Sequence, residues 1–207
     1  MIQNDCDVSP LKQQLVSRLQ DVTKEIDQVV AGLDNENNCL LGRIEGLKEK
    51  FEAIETAASS FYLNCYLSPF VNKFVDISSS IQHLSSLRHG ALIVIERKDL
   101  IDSYIKPGTF VGANLTAALL ESIFFPGNPL HDGAVLVRSD QIYSAANVLP
   151  LSKVNAGEKK LGTRHRAAIG LTEQSDALVL IVSEETGRVS FAIDGNLYPI
   201  ITSSSLI

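Results

Sequence analysis

Residues 128–148 read NPLHDGAVLVRSDQIYSAANV. Two apolar stretches, Ala134–Arg138 and Gln141–Val148, flank Ser139-Asp140, a turn-forming pair, and so read as two paired strands. Upstream, Ala91–Glu96 (ALIVIE) is a short continuous apolar run, the pattern of a strand buried on both faces. Downstream, Ala177–Val182 and Arg188–Ile193 read as further strands, with a turn at Glu185-Thr186-Gly187. Helical segments lie between them. Leu115–Phe125 is expected to be N-capped by Asn114 and stopped by Pro126-Gly127, and Leu161–Leu171 forms another helix. Residues 62–87 read as helical with an interruption near Ser68-Pro69. Strands and helices interleave with hairpins, which predicts an α/β fold with a mixed β-sheet covered by helices. There is no internal repeat and no low-complexity segment.

Ahead of this region the texture is purely helical. Ser9-Pro10 is a helix start, with serine as cap and proline at the first position, where its missing N–H costs nothing. Leu11, Leu15, Leu19, Val22, Ile26, Val29 and Leu33 then recur at spacings of 3 and 4, which sets them on one stripe. Asp34-Asn35-Glu36-Asn37-Asn38 is a polar break, and the stripe resumes as Leu40, Ile44, Leu47, Phe51, Ile54, Ala58 and Phe61. The expectation is an N-terminal antiparallel α-helical hairpin over residues 1–61, followed by a second domain over 62–207. One pair of helices cannot bury both stripes. Either the hairpin packs on the rest of its own chain, or its near-heptad apolar face makes contacts between subunits. Gly42 and Gly46 interrupt the second helix at a cost of about 1 kcal/mol each relative to alanine.

The chain has 207 residues and a formal net charge of −6, so clustered cations able to neutralise a phosphate polymer are lacking and no nucleic-acid polymer is expected as a partner. Five of those six charges fall in residues 1–60. No apolar run reaches the ~20 residues of a membrane span, and the polar, acidic start MIQNDCDVSP is neither secretory signal nor transit peptide, so the expectation is a cytoplasmic protein with no membrane partner. Cys6, Cys39 and Cys65 are widely spaced, odd in number and form no CxxC pair, which argues against a disulfide framework and against Cys-ligated zinc.

Two segments carry expensive polar residues at the edges of apolar elements. In Leu130-His131-Asp132-Gly133-Ala134 the Asp-Gly pair, taken alone, is a common turn. The functional reading is that Asp132 supplies a carboxylate, Gly133 lets a ligand approach the backbone, and His131 adds a second polar ligand. One carboxylate plus substrate phosphates is the usual way Mg²⁺ or Mn²⁺ is held. In Gly162-Thr163-Arg164-His165-Arg166 three cationic or potentially cationic residues open a helix, where the macrodipole repels them. The plain reading is a solvated helix face. The physics favours a compensating anion, because a helix N-terminus offers free N–H groups and arginine a forked donor matched to phosphate. Ser183-Glu184-Glu185-Thr186, at a strand end, reads either as a polar turn or as the completion of a cation site. The common phosphate and dinucleotide loops, GxxxxGK[ST] and GxGxxG, are absent, as are HExxH and GxSxG.

At these residues the sequence resembles the diadenylate cyclase family, marked by DGA and RHR motifs. Here they stand as Asp132-Gly133-Ala134 in PLHDGAVLVR and Arg164-His165-Arg166 in LGTRHRAAIG, with family-like flanks RHGALIVIER at 88–97 and VSEETGRVSFAIDGNL at 182–197. The likeness covers roughly residues 80–200, and the two-helix extension resembles the sporulation-associated type of that family. The resemblance implies condensation of two ATP molecules into cyclic di-AMP with release of two pyrophosphates, between two domains that face each other in a homo-oligomer. It implies Asp132, Gly133, Ala134, Arg164, His165 and Arg166 as catalytic, with Asp132 acting on the 3′-hydroxyl. Leu130, Gly162, Thr163 and Ser183, with the RHR residues, would bind ATP, and His131, Asp132 and Glu185 would hold a divalent cation. The hairpin is then expected to restrain activity by fixing the arrangement of subunits. Two other functions fit the residues alone: a nucleotide sensor that does not turn over, and a scaffold that docks acidic or phosphorylated partners through Arg164 and Arg166.

Overall fold

The computed structural model describes residues 9–32, 40–153 and 161–200; the polar break read at 34–38 lies outside them. The elements are α1 (Ser9–Ala31), α2 (Leu40–Leu67), α3 (Phe74–Leu87), β1 (Ala91–Ile95), β2 (Thr109–Asn114), α4 (Ala117–Ile123), β3 (Ala134–Arg138), β4 (Gln141–Asn147), α5 (Thr163–Thr172), β5 (Leu178–Val182), β6 (Val189–Ile193) and β7 (Asn196–Ile200). They fall into two compact units, Met1–Tyr62 and Leu63–Ile207.

In the first unit an ion pair between Lys50 on α2 and Glu25 on α1 joins the two helices. Val22 and Ile54 are buried, but Leu19, Ile26, Val30, Ile44 and Phe51 stay exposed. Two helices bury one seam of a stripe and leave the remainder in water, as the pattern predicts. The second helix does not end near Phe61. Nothing between Phe61 and Leu67 breaks a helix, so α2 continues to Leu67 and stops at Ser68-Pro69.

The second unit holds a seven-stranded sheet in the order β2-β4-β3-β1-β5-β6-β7. β1 pairs parallel with β3 and antiparallel with β5, and every other neighbouring pair is antiparallel. All five residues of β1 are buried. Its side chains alternate between two cores. Ala91, Ile93 and Ile95 join Ile77, Ile81 and Leu84 of α3 and Leu120 and Ile123 of α4. Leu92 and Val94 join Ala167, Ala168 and Leu171 of α5. A strand covered by helices on both faces has no polar side, which is why ALIVI is unbroken.

Two strands escape the sequence reading. β2 is an edge strand with alternating exposure, and Gly112 at φ +61 sits in its bulge, so no apolar run betrays it. β7, at the other edge, carries Pro199, which a central strand would not tolerate. The cap of α4 also differs: Thr116, not Asn114, accepts from Leu119 N, because Asn114 is committed to β2. Cys65 is buried in α2, and Cys6 and Cys39 lie outside the described residues.

The turn between β3 and β4 anchors α3. Asp140 accepts from Asn72 N (2.8 Å), Lys73 N (3.1 Å) and Asn72 Nδ2 (2.9 Å), supplying the cap that Lys73 does not provide for itself. The Asn72 hydrogen bond first, and the Lys73 and Asn72 amides after it, hold the Asp140 carboxyl below its usual range. A carboxyl depressed in the folded state adds stability above its unfolded pKa and loses it as pH falls through the folded one. Asp140→Ala should therefore cost about 1–2 kcal/mol at pH 7, as lost helix caps do. The deficit should shrink toward pH 3, as measured by urea denaturation at both pH values.

Candidate functional site

The pairing of β1 sends three chain segments to one end of the sheet. Ile93 lies opposite Val135 in the parallel pair and Ala91 opposite Val182 in the antiparallel one. The start of β1, the start of β3 and the end of β5 therefore coincide. His89-Gly90, His131-Asp132-Gly133 and Ser183-Glu184 emerge there together, all from the rim of a buried apolar sheet.

The segment leading into β3 is folded by Asn128. Its Oδ1 accepts from Leu130 N (2.9 Å), its Nδ2 donates to Ser122 O (2.7 Å), and its carbonyl accepts from His131 N (3.1 Å). The same carbonyl lies 2.6 Å from His131 Nδ1. A carbonyl only accepts, so Nδ1 carries a proton and Nε2 is the ring nitrogen turned away from this bond. Leu130 packs against the core on the α3–α4 side, whereas Asp132 is exposed. Gly133 has φ +118, and a Cβ there would stand 2.8 Å from Ala146 C and Asn147 O. Both facts restrict the position to glycine. Ala134 is buried at the first position of β3.

The second segment opens α5. Gly162 is extended, no side chain caps the helix, and no acidic residue stands in its first turn. Gly162, Thr163 and Arg166 are exposed. Arg166 Nη2 donates to Ser152 O (3.2 Å). Burial pushes the His165 imidazole below its usual pKa, and the charge of Arg164 adds to this, so a neutral ring stands between two guanidinium groups near pH 7. Arg164 Nη1 donates to Glu184 Oε2 at 2.8 Å. This hydrogen bond and the charge of Arg164 lower the Glu184 pKa, with smaller contributions from His131 and His89.

Of the residues singled out in the sequence, His131, Asp132, Gly133, Arg164 and Ser183 come to this end of the sheet. Ser183 Oγ accepts from Thr186 N (3.3 Å) and closes the turn after β5. The carboxylate that meets Arg164 belongs to Glu184, while Glu185 stands exposed beside it in the same turn. The sequence motifs do not single out Gly90 and His89. A Cβ on Gly90 would lie 2.4 Å from Arg164 Nη1 and 2.9 Å from Glu184 Cβ, so the absence of a side chain there makes room for the Arg164–Glu184 pair. A signal existed: His89-Gly90 precedes β1 much as His131-Asp132-Gly133 precedes β3.

Residues 78–197 match the family described as DisA bacterial checkpoint controller nucleotide-binding, which makes the sheet unit a bacterial nucleotide-binding α/β domain. Residues 2–70 match the N-terminal family of diadenylate cyclase CdaS. The chain is 50% identical over 190 residues to diadenylate cyclase CdaS of Bacillus thuringiensis (strain BMB171), covering 92% of this chain and 94% of that protein. It is 48% identical to cyclic di-AMP synthase CdaS of Bacillus subtilis (strain 168), covering 89% and 88%. The chain belongs to the diadenylate cyclase family. Among solved structures, a protein described as a hypothetical membrane spanning protein from Bacillus cereus superimposes with a TM-score of 0.74 at 50% identity, over 93% of this chain and 95% of that one. DacA from Staphylococcus aureus gives 0.58 at 44% identity, over 61% and 84%. Among the described residues no helix is long and apolar enough to cross a membrane.

The contact at Gly90 yields a test. In Gly90→Ala the flexible end of Arg164 must yield first, while Glu184 Cβ at 2.9 Å is tied to its backbone, so the denaturation midpoint should fall slightly with the fold retained. The displaced guanidinium should weaken binding of ATP, used as a probe, by about tenfold, the worth of one charge-assisted hydrogen bond. Unchanged affinity would count against a ligand-facing role for Arg164.

Proposed function

We propose that the second unit condenses two ATP molecules into cyclic di-AMP, releasing two pyrophosphates. The observation that carries this reading is the convergence of the exposed Asp132 with an uncapped helix end. The Arg164 guanidinium at that end is held by an exposed carboxylate. In each of two steps a 3′-oxygen bonds to the α-phosphorus of the other ATP, the bond from that phosphorus to the bridging oxygen breaks, and pyrophosphate leaves. Asp132 orients the 3′-hydroxyl and receives its proton. Gly133 and Ala134 let the nucleotide lie against the backbone. Leu130 and Thr163 line the adenosine, and Gly162, Thr163, Arg164, His165, Arg166 and Ser183 take the triphosphate. The neutral His165 fits a hydrogen-bonding role there, leaving the charge to its arginine neighbours.

A divalent cation, Mg²⁺ or Mn²⁺, fits the donors present. His131 offers Nε2, oriented by its Nδ1–H bond to Asn128, and Asp132 and Glu185 offer carboxylates. Among the described residues no three His, Cys, Asp or Glu side chains come together, so these donors would not meet an ion as a set and substrate phosphates would have to complete its shell. Once bound, such an ion neutralises charge on the triphosphate.

Each domain binds one ATP, so the reaction needs a second copy of the chain facing the first. This assigns work to the exposed apolar residues of α1 and α2: they hold subunits in an oligomer that keeps active faces apart and so restrains activity.

Incubation with ATP and Mn²⁺ followed by chromatography should give cyclic di-AMP. Asp132→Asn should lower its formation by at least about 100-fold, the contribution of a positioned proton acceptor, with ATP binding retained. ATP binding without product in the parent protein would point instead to a sensor. For the helices, Ile44→Glu with Phe51→Glu should reduce the assembly measured by light scattering and raise turnover per chain. An unchanged mass or a lower rate would refute the restraint.

A further inference from the structure

Asn147, the last residue of β4, is 1% exposed, yet its side chain makes no contribution to either apolar core. It makes three hydrogen bonds instead. Its Oδ1 accepts from Gly108 N (2.9 Å) and from Ser144 Oγ (2.9 Å), and its Nδ2 donates to Ala134 O (2.8 Å). The orientation of the amide is not arbitrary. Gly108 N can only donate and Ala134 O can only accept, so oxygen and nitrogen are each fixed in place.

The need for this side chain comes from the backbone. Ala134 lies opposite Asn147 and Leu136 opposite Ser144, so β4 carries one residue more than β3 over this interval. The surplus is taken up at Ala146, whose φ is +57. A bulge of this kind breaks the ladder and leaves main-chain groups without strand partners. The Asn147 amide takes the Ala134 carbonyl at that break. Directly before Ala134 stands Gly133, pressed without a side chain against the backbone of Ala146 and Asn147. The bulged 146–147 segment is thus the floor on which Asp132-Gly133-Ala134 rests, and the amide is the tie that holds the two together. Gly108, on the far side, is drawn to the same oxygen, and its own lack of a side chain lets the 106–109 segment lie on Ala145 and Ala146.

We infer that Asn147 is a positioning residue that fixes the carboxylate of Asp132 for reaction by clamping the Ala134 carbonyl to the bulge in β4. The inference rests on the reaction proposed above. Asn147 is 1% exposed and acts through the Ala134 carbonyl, so its loss should affect the chemical step more than binding.

Asn147→Ala should lower kcat per folded molecule by about 10- to 100-fold, as small misplacements of reacting groups do, while KM for ATP stays within about threefold. Asn147→Asp keeps the acceptors for Gly108 and Ser144 but sets an oxygen against the Ala134 carbonyl, and it should lose kcat to the same degree. Ser144→Ala removes a bond that does not reach Ala134 and should keep kcat within about twofold. Amide hydrogen exchange over residues 130–135 should accelerate in Asn147→Ala while α5 is unchanged, a readout that needs no turnover. It therefore separates failure of this inference from failure of the proposed reaction. The inference is overturned by kcat within twofold of the parent in folded Asn147→Ala or Asn147→Asp, by a loss confined to KM, by unaltered exchange at 130–135, or by failure of both variants to fold, which would make Asn147 a structural residue only.

Discussion

Strand β1 pairs parallel with β3 on one side and antiparallel with β5 on the other, and both of its faces are buried. Three consequences follow from that single arrangement. Unbroken apolar composition is forced on the strand, because neither face meets water. Two strand starts and one strand end are brought to the same edge. The charged residues near this edge, Asp132 and Glu184, stand where the strands stop, since β1 has no solvent-facing side to hold them. Asp132 and Glu184 are far apart in sequence but neighbour the same helix end because of strand direction, not because of any affinity between them.

The electrostatics of that edge are arranged around an unfavourable helix start. An uncapped N-terminus followed by Arg164, His165 and Arg166 stacks positive charge on the positive end of the helix dipole. Burial keeps His165 from adding a third charge, and Glu184 offsets part of what remains. The Arg164–Glu184 pair is weak by construction. The arginine side chain is 25% exposed and the glutamate 66%, and pairs of that kind contribute no more than about 1 kcal/mol. A triphosphate, with several charges and many acceptor oxygens, can outcompete one solvated carboxylate for the same guanidinium. In the proposed reaction Glu184 would thus act as a counter-charge to Arg164 that ATP easily exchanges.

What the sequence discloses is governed by burial. β1, β3, β5 and β6 are legible because strands buried on both faces are almost wholly apolar, Ser190 and the terminal Arg138 being the exceptions, and Ser68-Pro69 is legible as a break because proline restricts the residue before it. β2 and β7 are illegible because edge strands need no such composition, and Pro199 argues against a strand that nevertheless forms. The expectation of an anion site at Gly162–Arg166 rests on charge at the wrong end of a helix, a local rule. The partner of Arg164, the clearance at Gly90 and the clamp made by Asn147 depend on register and on bulges, which arise from pairing between distant segments. No periodicity within a window can report them. The family motifs reached His131 and Asp132 directly, but not the Asn128 carbonyl that accepts from Nδ1 of His131.

The two buried clusters of the sheet unit draw their residues from Leu63 onward, and α3, α4 and α5 cover its faces. That unit has its own core. The first unit does not reach the same completeness: α1 and α2 bury Val22 and Ile54 but leave Leu19, Ile26, Val30, Leu41, Ile44 and Phe51 in solvent. Large apolar side chains repeated along a helix face cost solubility and bring the fold nothing unless another surface covers them. The same residues 1–60 hold five of the six net negative charges. Like charges of that density oppose loose aggregation while leaving a specific apolar seam able to form, so composition favours a few defined contacts over many indefinite ones. The proposed activity, needing two facing domains, would be open to control by whatever fixes the geometry of an assembly, and these helices carry an apolar surface suited to that.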